Sequence, residues 1–178
     1  MIRTLFISLI FCISFFSFSS ENAGKTIVAR GEVKATDNKV SRDLKRRSVI
    51  FKSDFVNTGL KSNAQLRMID GALLSLQQQT ELAIIDYQFD ASSEEGKVSL
   101  NLIKGGLRTV TGALKAGTDK YKMLTPVASI GVRGTHYEAE LILGDLYLSA
   151  WQGIIDIQVT VGSDPLKFSL GDGENYRF

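Results

Sequence analysis

From Thr26 onward, short runs rich in Val, Ile, Leu and Tyr recur between turn-forming residues, and no stretch sustains the apolar period of a helix. A chain patterned this way can bury its apolar side chains only by pairing strands, so an all-β fold is predicted. The predicted strands in the first half are Thr26–Ala35, Ser48–Phe51, Ala64–Met68, Ala72–Gln77, Glu81–Phe89, Val98–Lys104 and Leu107–Thr111. Those in the second half are Tyr121–Leu124, Ile130–Arg133, His136–Leu143, Leu146–Trp151, Ile154–Val161 and Lys167–Leu170. Turns are predicted at Asp70-Gly71, Gly105-Gly106, Gly144-Asp145 and Gly153. Several segments repeat this strand-glycine-strand form at uneven spacing, and no Pro-rich or Ser-rich linker divides them. The expectation is one antiparallel β-sandwich or β-roll domain built from hairpins, covering residues 25–178.

Ahead of that region, Arg3 precedes the apolar run Leu5–Phe18, which gives way to Ser19, Ser20, Glu21 and Asn22. A charged start, an apolar middle and a small-residue exit are the pattern of a signal peptide, expected over residues 1–20. The run falls short of the roughly 20 apolar residues that span a bilayer, so no transmembrane segment is expected in the mature chain. The only cysteine, Cys12, lies inside this run and follows Phe11. Lipid attachment wants a small residue before its cysteine, and removal of the leader leaves no thiol for a disulfide, a nucleophile or a metal. With Arg3 gone, the 21 basic residues become 20 against 19 acidic ones, a balance that points to no polyanionic partner.

A two-residue turn at Gly144-Asp145 would pair Leu143 with Leu146 and set the faces of the hairpin from His136 to Gly153. Tyr137, Ala139, Leu141 and Leu143 then face Leu146, Leu148 and Ala150 in the core. The other face carries His136, Glu138, Glu140 and Ile142 against Tyr147, Ser149 and Trp151. On it, His136, Glu138, Glu140, Tyr147 and Trp151 are the candidate partner face. Trp and Tyr dominate binding hot spots when exposed, but another sheet or loop covering Tyr147 and Trp151 would make them core instead. His136, Glu138 and Glu140 also form a donor set suited to zinc. Same-face neighbours on one strand stand about 7 Å apart, and the alternation already explains a polar strand face, so no metal site is expected.

Between Lys39 and Arg47 five basic residues accompany one acid. The expectation is a solvated loop that keeps a sheet edge from pairing, and without interleaved aromatics no nucleic-acid partner is expected. A single histidine, with no nucleophile elbow, paired-histidine motif or phosphate-cradling loop, assigns no catalytic residue and no cofactor.

The segment Tyr121–Tyr137 contains Thr125-Pro126, Ala128 and the block Gly131-Val132-Arg133-Gly134-Thr135 followed by an aromatic. It resembles the signature of the FecR domain family. Ser53–Gly59, Ser62–Arg67 and Asp70-Gly71-Ala72 resemble the family's opening, Leu102–Arg108 its middle, and Trp151–Ile157 with Leu170–Gly173 its closing strands. The resemblance implies a periplasmic, β-rich, non-catalytic module for sensing and protein contact. The family's best-known regulators carry a sigma-binding segment before a membrane helix, and this sequence departs from that plan. A free adaptor or sensor that binds a periplasmic or outer-membrane protein is therefore implied. Alternatives are an envelope structural or polysaccharide-binding protein, and a hydrolase with a dispersed carboxylate site. Thr125, Pro126, Gly131, Arg133, Gly134 and Thr135 are read as structural. Pro126 suits a strand start or edge, the glycines allow close backbone approach, and Arg133 can lay its fork on a carboxylate or on turn carbonyls.

Overall fold

The computed structural model describes residues 21–178 apart from 115, 116, 118, 162 and 163, so the expected signal peptide lies outside the described residues. Among the described residues there is no helix. The strands are β1 (Asn22–Arg30), β2 (Val33–Asp37), β3 (Val40–Asp43), β4 (Val49–Phe51), β5 (Phe55–Thr58), β6 (Asn63–Met68) and β7 (Leu73–Leu76). They continue as β8 (Glu81–Asp90), β9 (Glu95–Val110), β10 (Tyr121–Leu124), β11 (Ala128–Ile142), β12 (Asp145–Val161), β13 (Asp164–Leu170) and β14 (Glu174–Arg177). All join one hydrogen-bonded network whose main path runs β13-β12-β11-β10-β9-β7-β6-β1-β4. The fold is all-β, as the period-two patterning predicts.

Pairing is antiparallel with one exception. β10 runs parallel to β9, with Tyr121 opposite Val98, which makes the sheet mixed where an antiparallel one was expected. A parallel neighbour needs a crossover of about a dozen residues or more, and the chain between Asn101 and Tyr121, which takes in the second half of β9, is long enough to provide it.

The largest difference from the predicted elements is at glycine. Gly105-Gly106, expected as a turn, lies inside β9, and Gly153 lies inside β12. Each breaks the regularity of a strand without ending it. Gly105 has φ 78°, and a Cβ there would sit 2.6 Å from the Thr80 Cα. Before it β9 pairs with β8 and β10; after it β9 pairs with β7 and β11. Gly153 has φ 83° and packs against β11, where a Cβ would meet the Gly134 carbonyl oxygen at 2.5 Å. Conformational freedom and close approach are needed together at these two positions, the behaviour of a β-bulge.

Alternation places Leu82, Ile84 and Tyr87 of β8, Leu100, Leu102 and Leu107 of β9, and Ile130 and Val132 of β11 in the core. Burying each such side chain contributes about 1.5–3 kcal/mol. Ile85 marks a bulge that shifts the phase of β8 and leaves it 45% exposed. Three tyrosines, Tyr87, Tyr121 and Tyr137, are also buried. Tyr87 donates to the Asp70 carboxylate at 2.7 Å, while that same carboxylate accepts the Ala72 N–H of its turn at 3.1 Å. Burial pushes the Tyr137 phenol up to about 12, against the opposing effect of the neighbouring Tyr121 and Thr109 hydroxyls.

The basic stretch is more ordered than expected. Val40–Asp43 forms β3 and pairs with β2, and Arg42 reaches from it to the fully buried Asp54 with two bonds of 2.9 and 2.5 Å. Its guanidinium also stands 5.0 Å from the Phe51 ring centroid. The solvated-loop expectation fails at Arg42 because the buried Asp54 requires a charged partner. Lys39, Lys45, Arg46 and Arg47 are exposed.

The two glycines that face each other between β11 and β12 separate conformational cost from crowding. Gly134 has φ 57° and open space where a Cβ would go. Gly134→Ala should cost about 1 kcal/mol and Gly153→Ala at least about 3 kcal/mol, read as urea unfolding midpoints; equal losses would contradict the packing at Gly153.

Candidate functional site

β11 and β12 form the long hairpin on which the candidate face stands. Leu141 pairs with Leu146 and Ile142 with Asp145, so the turn is Leu143-Gly144, with φ 52° and 96°. Two positive φ values are what a two-residue turn matched to sheet twist requires. The expected Gly144-Asp145 turn is therefore one residue out of place, and Leu143 stands fully exposed at the tip instead of in the core. Pairing moves by two residues, so the face of every other side chain is retained. Tyr137, Ala139, Leu146, Leu148 and Ala150 are buried, and Leu141 is half-buried.

On the outer face, Arg108 of β9 lies directly opposite Glu138 of β11, which lies opposite Ser149 of β12. His136 pairs with Val110 on one side and Gln152 on the other, within the bulge. Three side chains meet here. The Arg108 guanidinium carbon is 3.6 Å from the Trp151 ring centroid, and its Nε donates to His136 Nε2 at 2.9 Å. The His136 and Trp151 rings meet edge to face at 4.6 Å. Because Nε2 accepts, the neutral ring carries its proton on Nδ1. Desolvation first and the Arg108 charge second lower the His136 pKa, with Glu138 acting in the opposite sense, so the ring is neutral at pH 7.

The five residues of the candidate face thus occupy one side of the hairpin in three groups. His136 and Trp151 touch, and Trp151 remains 38% exposed. Glu138 accepts the Gln77 side-chain amide at 2.7 Å. Tyr147 is opposite Glu140 and lies under the Arg177 guanidinium at 5.5 Å, which in turn binds Asp145 at 2.5 Å. Among the described residues, no three of His, Cys, Asp and Glu gather as a metal site. Arg108 and Gln77 were not singled out from the sequence. The available signal was alternation in Leu107-Arg108-Thr109, which turns Arg108 outward, but its neighbours depend on the long-range β9–β11 register.

The signature residues divide between a turn, an ion pair and the bulge. Thr125 accepts the Ala128 N–H at 2.9 Å through its hydroxyl and closes a tight turn with Pro126 exposed inside it. Gly131 lies between Lys122 of β10 and Asp156 of β12. Arg133 binds Asp156 at 3.0 Å, and Ser169 donates to the same carboxylate at 2.5 Å. Thr135 is nearly fully buried: its N–H donates to the Thr111 hydroxyl at 2.8 Å and its own hydroxyl to the Ile154 carbonyl at 3.0 Å.

Two arginine pairs differ sharply in exposure. The Arg133 side chain is 57% exposed, while Asp54, the partner of Arg42, is fully buried. Arg133→Ala should cost less than about 1 kcal/mol, and Arg42→Ala about 3–5 kcal/mol by leaving Asp54 unpaired. Equal unfolding midpoints for the two variants would contradict this ranking.

No curated protein matches the chain. Two crystal structures from Parabacteroides distasonis ATCC 8503, each described as a "putative anti-sigma factor", share 11% and 12% identity with it at a TM-score of 0.49. They cover 70% of this chain, which spans 58% of the length of theirs. The family model described as FecR protein matches residues 54–156, from the buried Asp54 to the Asp156 that holds Arg133. The chain belongs to the FecR family.

Proposed function

We propose that residues 25–178 act as one exported β domain, of sandwich or roll form, that binds another envelope protein in the periplasm without catalysing a reaction. The observation that carries this reading is the half-exposed Trp151, held between Arg108 and His136 on the outer face of β9, β11 and β12. A half-exposed aromatic held among polar side chains on a sheet face has the composition of a protein-binding hot spot. Membership of the FecR family supports a regulatory or adaptor role over a metabolic one. The leader pattern at residues 1–20 supports export.

The domain serves as a rigid platform: it presents a fixed face, and a partner that docks there is held or its state relayed. Crosslinking of the tagged chain in intact cells, with mass spectrometry of the captured species, tests this. Wild type should capture a defined envelope protein that a Tyr147→Ala, Trp151→Ala chain of equal stability loses. Capture of no specific protein, with retention of envelope polysaccharide, would replace the protein-binding reading with a glycan-binding one.

A further inference from the structure

Arg108 and Glu138 stand directly opposite each other on adjacent strands, the arrangement in which opposite charges ordinarily pair. They do not pair. Glu138 is held by the Gln77 amide, and Arg108 by His136 and the indole face of Trp151. Only the Nε of Arg108 is used, so both Nη groups lack a hydrogen-bond partner among the described residues. The guanidinium is fixed in plane and position while its fork stays open.

Arg108 also lines a shallow groove of about 390 Å³ that crosses β6 and β7 to Arg30 on β1; Glu138 lines its Arg108 end, with its carboxylate bound by the Gln77 amide. Gln65 and Ser75 lie between the two arginines and bond each other at 3.3 Å. Arg30, exposed, likewise forms no ion pair among the described residues. Three strand spacings separate the β1 and β9 backbones, roughly 14–16 Å, and the Arg108 guanidinium leans further, toward His136 of β11, so an extended chain needs about six residues or more to reach from Arg30 to the fork.

We infer that this groove docks an extended acidic segment of a polypeptide partner, with one carboxylate in the Arg108 fork and another near Arg30. The inference rests on the protein-binding reading and names the chemistry of its partner. A guanidinium fork matches a carboxylate with two parallel bonds, and stacking on an indole removes the entropy cost of orienting it. A sugar ring is the weaker occupant, because the indole face it would stack on already carries the guanidinium.

Trp151 is the chain's single tryptophan, so its fluorescence reports on this site. Acetylated, amidated hexaglutamate titrated into the mature protein should change that fluorescence saturably. Arg108→Gln should weaken binding about 10-fold or more, Arg108→Lys less, and added salt should weaken it in wild type. Hexaglutamine should leave the signal unchanged. Equal responses to the two peptides, no response to hexaglutamate, an undiminished response in Arg108→Gln, or a response to a uronic-acid oligosaccharide in place of hexaglutamate would each overturn the inference. Matched unfolding midpoints establish that the Arg108 variants are folded. Undiminished crosslinking of the same envelope protein by Arg108→Gln would overturn this inference while leaving the protein-binding reading in place.

Discussion

The close approach of β11 and β12 at Gly134 and Gly153 is the contact on which the outer face depends. A side chain at residue 153 would drive its Cβ into the Gly134 carbonyl, so the strands meet here only because the position is glycine. Thr135 fastens the same bulge to both sides through Thr111 and Ile154. Bulges allow the strands to run fifteen residues or more, as β9, β11 and β12 do, while changing pairing partners along their length. One strand can then serve two neighbourhoods, and ends of the network distant in sequence meet side by side.

The site follows from that geometry. Arg108 comes from β9, His136 from the bulge of β11 and Trp151 from the strand that returns opposite it. Behind the face, Thr109, Thr135 and the tyrosines are buried among apolar side chains such as Ala139 and Leu148, which lie under these three residues. A neutral His136 accepts from Arg108 and does not compete for its charge, whereas Glu138, which would compete, is turned toward Gln77. The result is a cation oriented by neutral partners.

Much of the fold was legible because period-two alternation depends only on neighbours in sequence. Tyr137, Ala139, Leu146, Leu148 and Ala150 are assigned to the core from that pattern, and they are buried. What failed were features decided at long range or by very short elements. Glycine reads the same at a turn and at a bulge, so the sequence predicts chain reversals at Gly105 and Gly153 where the strands continue. Val40–Asp43, Phe55–Thr58 and Glu174–Arg177 form strands four residues long, too brief to show a period, and the first is disguised by charge. The chemistry behaved similarly. His136 and Trp151 could be placed on one face from the hairpin alone, but Arg108 is 28 residues away from His136 in sequence and reaches it only through the β9–β11 register. The need of Asp54 for Arg42 was invisible for the same reason, since burial of Asp54 is a tertiary fact.

Both the candidate face and its partner chemistry depend on the stacking of Arg108 on Trp151. Side-chain NMR of the protein tests it without any partner. The Arg108 methylene and guanidinium protons should be shifted upfield by the indole ring current, and Trp151→Leu should return them to ordinary arginine positions. Arg108 resonances at ordinary positions in the wild-type protein, unmoved by Trp151→Leu, would contradict it.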